Sequence, residues 1–412
     1  VAALEAERDE RLAKAMKIFE LAVVVIVFGC AGAGPDSGSV VRDSAGVTIV
    51  ESTAPLWQSG EEWHVSSTPS MAIGETQGAD EYQLFRVVGA CRLADGRIVV
   101  ANWGSQELRF YDARGRYLNA AGKEGGGPGE FSSLSRMFVL GDSLVVVDFQ
   151  LLRVSLFTTG GEFIHSFNLA NTSGGLLPIP EDVFSNGKLL VEHDRRRRAR
   201  ESGFTRDTVQ LATYTLDGEF SDSVGWFPET ETYFLVQGET VASQPRPFGL
   251  ESQKDVADNR LYFGSSDSYE IQVFTSEGTL LRIVRRPVAN PVLTGEEARA
   301  YQDRLLERMP EMSPTFRQLH RQIELPATKP AYSRITVDSD GYLWVAEYPG
   351  DDDEASLWNV FDPEGRWLGT VATPYGGFVH QIGSDFLLGV WINELDVEQV
   401  RVYSIDRPGA GD

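Results

Sequence analysis

Cysteine is almost missing from this chain. Only Cys30 and Cys91 occur in 412 residues, and neither sits in a CxxC pair or beside a histidine. That excludes a disulfide scaffold and a cysteine-based zinc or haem site. The five histidines, His64, His165, His193, His320 and His380, are scattered. HExxH, GxSxG and GxxxxGK[ST] do not occur, so the common metalloprotease, serine-hydrolase and phosphate-loop signatures are gone. Basic charge is scarce as well: 37 Lys and Arg stand against 60 Asp and Glu, a net charge of -23. A surface of that sign repels nucleic acid and anionic membrane faces, and no nucleic-acid partner is expected. Long apolar runs are lacking too. The stretch from Leu21 to Phe28 is uncharged, but far short of the roughly 20 residues that cross a bilayer.

What the chain does have is 42% hydrophobic residues, 41 glycines and 10% aromatics. This is enough for one large core or two modest ones and points to many turns between short strands. Near the N-terminus, "MKIFELAVVVIVFGC" has a basic start, an apolar run and small residues around Cys30. It resembles a bacterial lipoprotein signal peptide, although Val and Phe28 stand where that pattern prefers Leu and a small residue. The resemblance implies a signal over residues 16–30 and lipid on Cys30. It also implies an extracytoplasmic, membrane-anchored lipoprotein on the periplasmic side or the outer membrane; Ala31 after the cysteine resembles outer-membrane sorting. Residues 1–15 read as an over-extended start ahead of Met16. "AGAGPDSGS" opens a flexible tether of small residues, assigned to 31–45.

From residue 46 to 408 one unit recurs. "ADGRIVVAN", "SNGKLLVEH", "ADNRLYFGS" and "DSDGYLWVAE" each pair a tight turn with an apolar strand, and "GDSLVVVDF" and "GSDFLLGVW" are looser copies. Second halves follow, such as "LRFYDARGRYLNAAG" and "WNVFDPEGRWLGTV", with a strand, another turn and a last strand. Each unit is four antiparallel strands, with glycine supplying the positive backbone angle in the turns. A sheet with two apolar faces cannot stand alone, so six units stack radially into an all-β, six-bladed β-propeller. The sixth unit lacks an outer strand. "WHVSSTPSMAIGE", Trp63 to Glu75, supplies it and closes the ring.

The marks "DSAGVTIVES", "GKEGGGPGEF" and "DSDGYLWV" resemble the bacterial secreted and lipoprotein six-bladed propellers related to NHL repeats. The match runs from about Asp43 to Arg407. It implies the fold and an extracytoplasmic setting. Lactonase-type and NHL-related propellers also place calcium or zinc in the central channel, held by acids or histidines from several inner strands. That sets a metal-dependent hydrolase or lyase beside the preferred reading, a binding or scaffolding module for a protein, peptide or glycan. No cofactor is required by the preferred reading, and calcium is the one kept open.

The turns written Asp-Gly are short and fall on one face, whereas the long excursions fall on the other. The largest excursion, 287–330, is a small helical insert between blades four and five. Thr294 with Glu297 forms a capping box, Ser313-Pro314 opens a second helix, and Leu305, Leu306, Phe316, Leu319 and Ile323 provide apolar faces. Function on rigid scaffolds concentrates on such loops.

Candidate residues are weighed against plainer roles. Arg136 and Arg334 sit at matching offsets before their turns, and with His380 they form a positive channel mouth for a carboxylate or phosphate, or else pair with channel acids. Arg195, Arg196, Arg197 and Arg198 offer a basic loop to an acidic partner, or a solvated one. His193 and Asp194 end a strand as a weak catalytic pair; a lone histidine is more often structural. Glu181, Asp182, Glu251 and Asp255 are the weak metal candidates, drawn only from blades three and four. Asp351 to Asp353 with Glu354 lack EF-hand spacing for calcium. "GKEGGGPGEF" serves as a blade-to-blade turn rather than an anion cradle, since Pro128 removes a donor. Cys91 and the strand-end Tyr and Trp residues read as core.

Overall fold

The structure is a computed structural model and describes residues 38–169, 177–194, 201–350 and 354–408. Proposals for residues 1–37, Cys30 included, for Arg195 to Arg198 and for Asp351 to Asp353 lie outside the described residues. Of the tether assigned to 31–45, Ser39–Ser44 is instead a strand.

Six antiparallel sheets succeed one another along the chain. Their inner strands are Val87–Arg92, Leu134–Leu140, Leu177–Val183, Gln253–Ala257, Arg334–Val337 and Phe378–Ile382. The second strand of each blade is covered on both sides, and Ile98–Asn102 in blade 1 is buried at every position. Such a strand must be apolar throughout, which is why the recurring unit reads as an unbroken hydrophobic run. Its alternate residues serve different neighbours: Ile98 and Val100 pack with Leu388, Val400 and Val402 of blade 6, and Val99 and Ala101 with Leu134, Leu144 and Val146 of blade 2. The core is therefore a ring of inter-blade layers. Outer strands such as Phe163–Asn168 are largely exposed.

The turns follow from their sequence. In blade 1 the Leu93 amide donates to the Arg97 carbonyl at 2.8 Å, and Gly96 sits at φ +87°, a conformation glycine adopts without strain. In blade 5 Asp338 accepts from the amides of Asp340 and Tyr342 at 3.0 and 2.9 Å.

The ring closes as expected. His64–Val65 and Met71–Ile73 both pair antiparallel with Glu398–Asp406 of blade 6. Arg407 then clasps the joint, pairing with Asp338 of blade 5 at 2.8 Å and stacking over Trp63 at 4.2 Å. The structure adds a belt that the sequence pattern did not announce. The hairpin Ser39–Ser44 and Val47–Ser52 lies parallel to the outer strand Leu280–Arg285 of blade 4, and the amides of Leu56 and Trp57 bond to Trp367 and Leu368 of blade 5. The N-terminal segment thus runs along the rims of blades 4 and 5 before it completes blade 6.

The insert holds α1 (Gly295–Arg308) and α2 (Pro314–Gln322). The capping box forms: Thr294 Oγ1 accepts from the Glu297 amide at 3.2 Å, and Glu297 Oε2 accepts from the Thr294 amide at 2.9 Å. The apolar faces are narrower than the sequence promised. Leu306 and Phe316 are exposed, and Leu319 is the buried anchor, packed on Tyr233, Leu235 and Ala242. Those three belong to an additional sheet of Gly203–Thr205, Thr232–Gln237 and Thr240–Pro245. The stretch between blades three and four is therefore a platform on which α2 rests.

Candidate functional site

Side chains from adjacent inner strands meet around the axis. On one side they form a closed charge cluster. Arg136 of blade 2 pairs with Glu181 of blade 3 at 2.9 Å and donates to the Pro180 carbonyl at 2.7 Å. Lys254 of blade 4 pairs with Glu181 at 3.1 Å and Glu192 at 2.6 Å. Although burial alone would discharge the ammonium, the two glutamates hold its pKa above the usual lysine value. Asp182 and Asp255 sit beside this cluster as a coupled pair. Burial raises both carboxyls, Asp255 to about 6, and the Asp255 charge adds to the rise at Asp182. Asp255 also crosses to blade 5, accepting from the Val337 amide at 2.6 Å and the Thr336 hydroxyl at 3.1 Å.

The other side of the channel is open. Arg334 of blade 5 stacks its guanidinium over Phe378 of blade 6 at 3.9 Å, and no carboxylate lies within 4 Å of it among the described residues. Burial lowers its pKa, with Asp255 acting against the drop from a distance. Burial and the Arg334 charge hold His380 down to about 3, so its imidazole is neutral at physiological pH. Arg334 and His380 are thus neighbours, as the sequence placed them. Arg136 stands apart from both, tied to Glu181.

The remaining candidates are engaged elsewhere. His193 is buried with both ring nitrogens bonded within its own blade, to Gln210 at 3.1 Å and Tyr214 at 2.9 Å. It has no free nitrogen for proton transfer, and this corrects its reading as a base. Glu251 lies at the loop face with its carboxyl raised by burial. Among the described residues no three His, Cys, Asp or Glu side chains converge as ligands for one ion. In the glycine-rich connection, Glu130 accepts from the Gly127 amide at 2.8 Å and pairs with Lys123 at 3.1 Å. The chain's own carboxylate occupies the position an anion would take. Cys91 is buried and its thiol is pushed up to about 12 by that burial.

Arg334 opens on a cleft of about 820 Å³ at the loop face, above blade 5. Its walls come from the insert that precedes blade 5, the loop after Leu343–Ala346, and the connection to blade 6. Two further cations line it. Lys329 is tied to Glu297 at 2.5 Å, which helps to hold that carboxyl down at about 2. Arg286 stacks over Trp367 at 3.6 Å and Tyr269 at 5.1 Å without a carboxylate within 4 Å. The one acidic group in the lining is Glu347, which accepts from the Asn359 side chain at 3.0 Å. Tyr348, Trp358 and Phe378 supply aromatic walls. Sequence reasoning missed Arg286 and these aromatics, because a strand-end Tyr or Trp reads the same whether it packs between blades or faces a cleft. Their clustering within one loop set was the available signal.

Comparison with known proteins agrees with the architecture. A sequence model of the family described as 6-bladed beta-propeller, DUF5128, matches residues 78–185. A solved member of the DUF4221 family from Bacteroides vulgatus is 11% identical, with 84% of this chain and 99% of that one covered at a TM-score of 0.50. A Bacteroides fragilis protein described as exported is 13% identical, covering 87% and 99% at 0.47. A gluconolactonase of Xanthomonas campestris is 14% identical, covering 79% and 87% at 0.37. No curated protein matches the chain. The six sheets and the family model, with the DUF4221-family structure beside them, make the chain a six-bladed β-propeller. No described helix is long and apolar enough to cross a membrane.

Proposed function

We propose that this protein is an extracytoplasmic, lipid-anchored binding module that captures a protein, peptide or glycan on its loop face. The carrying observation is the asymmetry of the two faces. Short turns close one, whereas the other bears the insert, the additional sheet and the 820 Å³ cleft. A cleft of that size falls within the range that buries a drug-sized ligand or a few units of a polymer. The lipoprotein pattern around Cys30 supports the anchor.

Arrays of peptides and glycans probed with the full chain test the reading. Retention of a defined set is expected, together with its loss in a Tyr348→Ala, Tyr375→Ala double variant that keeps the wild-type circular dichroism. A blank array, or binding indifferent to the double variant, overturns it. Radiolabelled palmitate should enter the wild-type chain and not Cys30→Ser. Elemental analysis after exhaustive dialysis tests the rival: stoichiometric calcium or zinc would favour the hydrolase or lyase reading and justify assays on lactones and esters.

A further inference from the structure

We infer that the cleft reads a carboxylate on its ligand, with Arg334, Arg286 and Tyr269 as the donors. This deepens the binding reading above and rests on it. The argument begins with how this acidic protein treats its other enclosed arginines. Arg109 pairs with Glu107 at 3.2 Å, Arg206 with Asp267 at 3.7 Å, Arg246 with Glu231 at 2.8 Å, Arg285 with Glu270 at 3.0 Å and Arg407 with Asp338 at 2.8 Å. Arg153, Arg282 and Arg401 lack a carboxylate but give their N–H groups to other acceptors, the carbonyls of Gly126, Glu130 and Pro363 and the side chain of Gln399. Among the described residues Arg334 and Arg286 have neither a carboxylate nor a carbonyl acceptor, and they open on the same cavity.

Both guanidiniums sit over aromatic rings, Arg334 over Phe378 at 3.9 Å and Arg286 over Trp367 at 3.6 Å. Stacking fixes the plane of a guanidinium and leaves its N–H edge for a planar anion. Tyr269 adds a third donor. It is only 4% exposed, it lines the same cleft, and its hydroxyl has no acceptor for its proton. Arg286 is within hydrogen-bonding reach as a donor, but the hydroxyl's own proton has no acceptor, and that costs free energy that an arriving acceptor would recover. The cleft is therefore supplied with donors and short of acceptors, which is the complement of a carboxylate.

The charge balance selects among anions. Lys329 is already neutralised by Glu297, Glu347 sits in the lining, and the whole chain carries -23. A phosphate dianion meets more repulsion there than a carboxylate monoanion does. Tyr375 and Phe378, exposed residues of the lining, offer apolar surface to whatever ring or apolar body carries the acid.

The test uses the full chain and three small probes, phenylacetate, glucuronate and inorganic phosphate, with binding followed by saturation-transfer difference NMR. Saturable binding of phenylacetate or glucuronate is expected, weakened by added salt, with phosphate at least tenfold weaker. Preference for phenylacetate assigns the acid to an aromatic body, and preference for glucuronate assigns it to a sugar. Arg334→Gln should reduce carboxylate affinity at least tenfold, and Arg286→Gln should do so independently. Arg136→Gln, at the matching position in blade 2, should leave it unchanged. Absence of carboxylate binding, preference for phosphate, or full affinity in a folded Arg334→Gln chain would overturn the inference. Array ligands retained in full by Arg334→Gln would also overturn it while leaving the binding-module reading intact. A blank array with a carboxylate probe bound would do the reverse.

Discussion

Arg136 and Arg334 occupy corresponding places on the inner strands of blades 2 and 5, yet they have opposite fates. Arg136 is closed into a network with Glu181, which is shared with Lys254 and through it with Glu192. Arg334 meets an aromatic ring, a neutral histidine and a cavity. The difference comes from neighbours rather than from the residue or its strand. Blade 3 places a glutamate beside the axis, whereas blade 6 places Phe378 and His380 there. A closed cluster spends its charges on the ring, and an open one leaves them for a ligand.

The largest expected effect lies in the closed half. Lys254→Met strands Glu192 and leaves Glu181 to Arg136 alone, both carboxylates being largely buried, and removing one partner of such a group costs about 3 kcal/mol. Urea denaturation should show that loss, and a variant within error of wild type would mean that the network is ornamental. Arg136→Met should cost less, about 1 kcal/mol, because its side chain is 37% exposed and Lys254 still serves Glu181. Arg334→Met should cost nothing measurable, since an unpaired charge gives way to an apolar side chain against Phe378. If Arg334→Met proves as damaging as Lys254→Met, the division into closed and open halves fails. A smaller, sharper version is Phe378→Glu. It offers Arg334 the partner that Arg136 already has, and the expected result is a modest gain in melting temperature with loss of carboxylate binding.

Much of this is legible in the sequence. Period-2 strands, paired turns and the incomplete sixth unit dictate the ring and its closure, because each is a local pattern with a single packing solution. The belt along blades 4 and 5 was not legible. Its strand "SVVRDS" is exposed at five of six positions, so no alternation marks it, and only the pairing of its partner to Leu280–Arg285 orders it. The additional sheet was hidden for a similar reason, since Thr232–Gln237 and Thr240–Pro245 find their apolar partner in α2, far away in sequence. At the site, the adjacency of Arg334 and His380 followed from blade register. Whether an arginine is paired depends on the next blade's side chain, which register alone does not reveal. His193 looked reactive for the same reason: Gln210 and Tyr214 claim its nitrogens from the neighbouring strand.

The smallest signal is the pH dependence of the wild-type chain, and it is small because two groups oppose each other. Asp255 has a folded pKa of about 6, raised from 3.8 by burial. Its contribution is fully present below the unfolded pKa and is lost as pH rises through 6. His380 has a folded pKa of about 3, lowered from 6.5 by burial and Arg334. Its contribution is present above 6.5 and is lost as pH falls towards 3. Between pH 4 and 6 the unfolded chain holds more protons at the histidine and fewer at the aspartate, so the slopes have opposite sign and largely cancel. Asp182, raised by burial and by the Asp255 charge, adds to the acid side. Asp255→Asn keeps an acceptor for Thr336, removes one acid and relieves Asp182 of a like charge, so stability should shift towards rising with pH across that window, relative to wild type. His380→Asn should give the reverse, stability falling as pH rises. Urea midpoints at half-unit intervals read both, and two variants shifted the same way relative to wild type would show that Asp255 and His380 do not set opposing slopes.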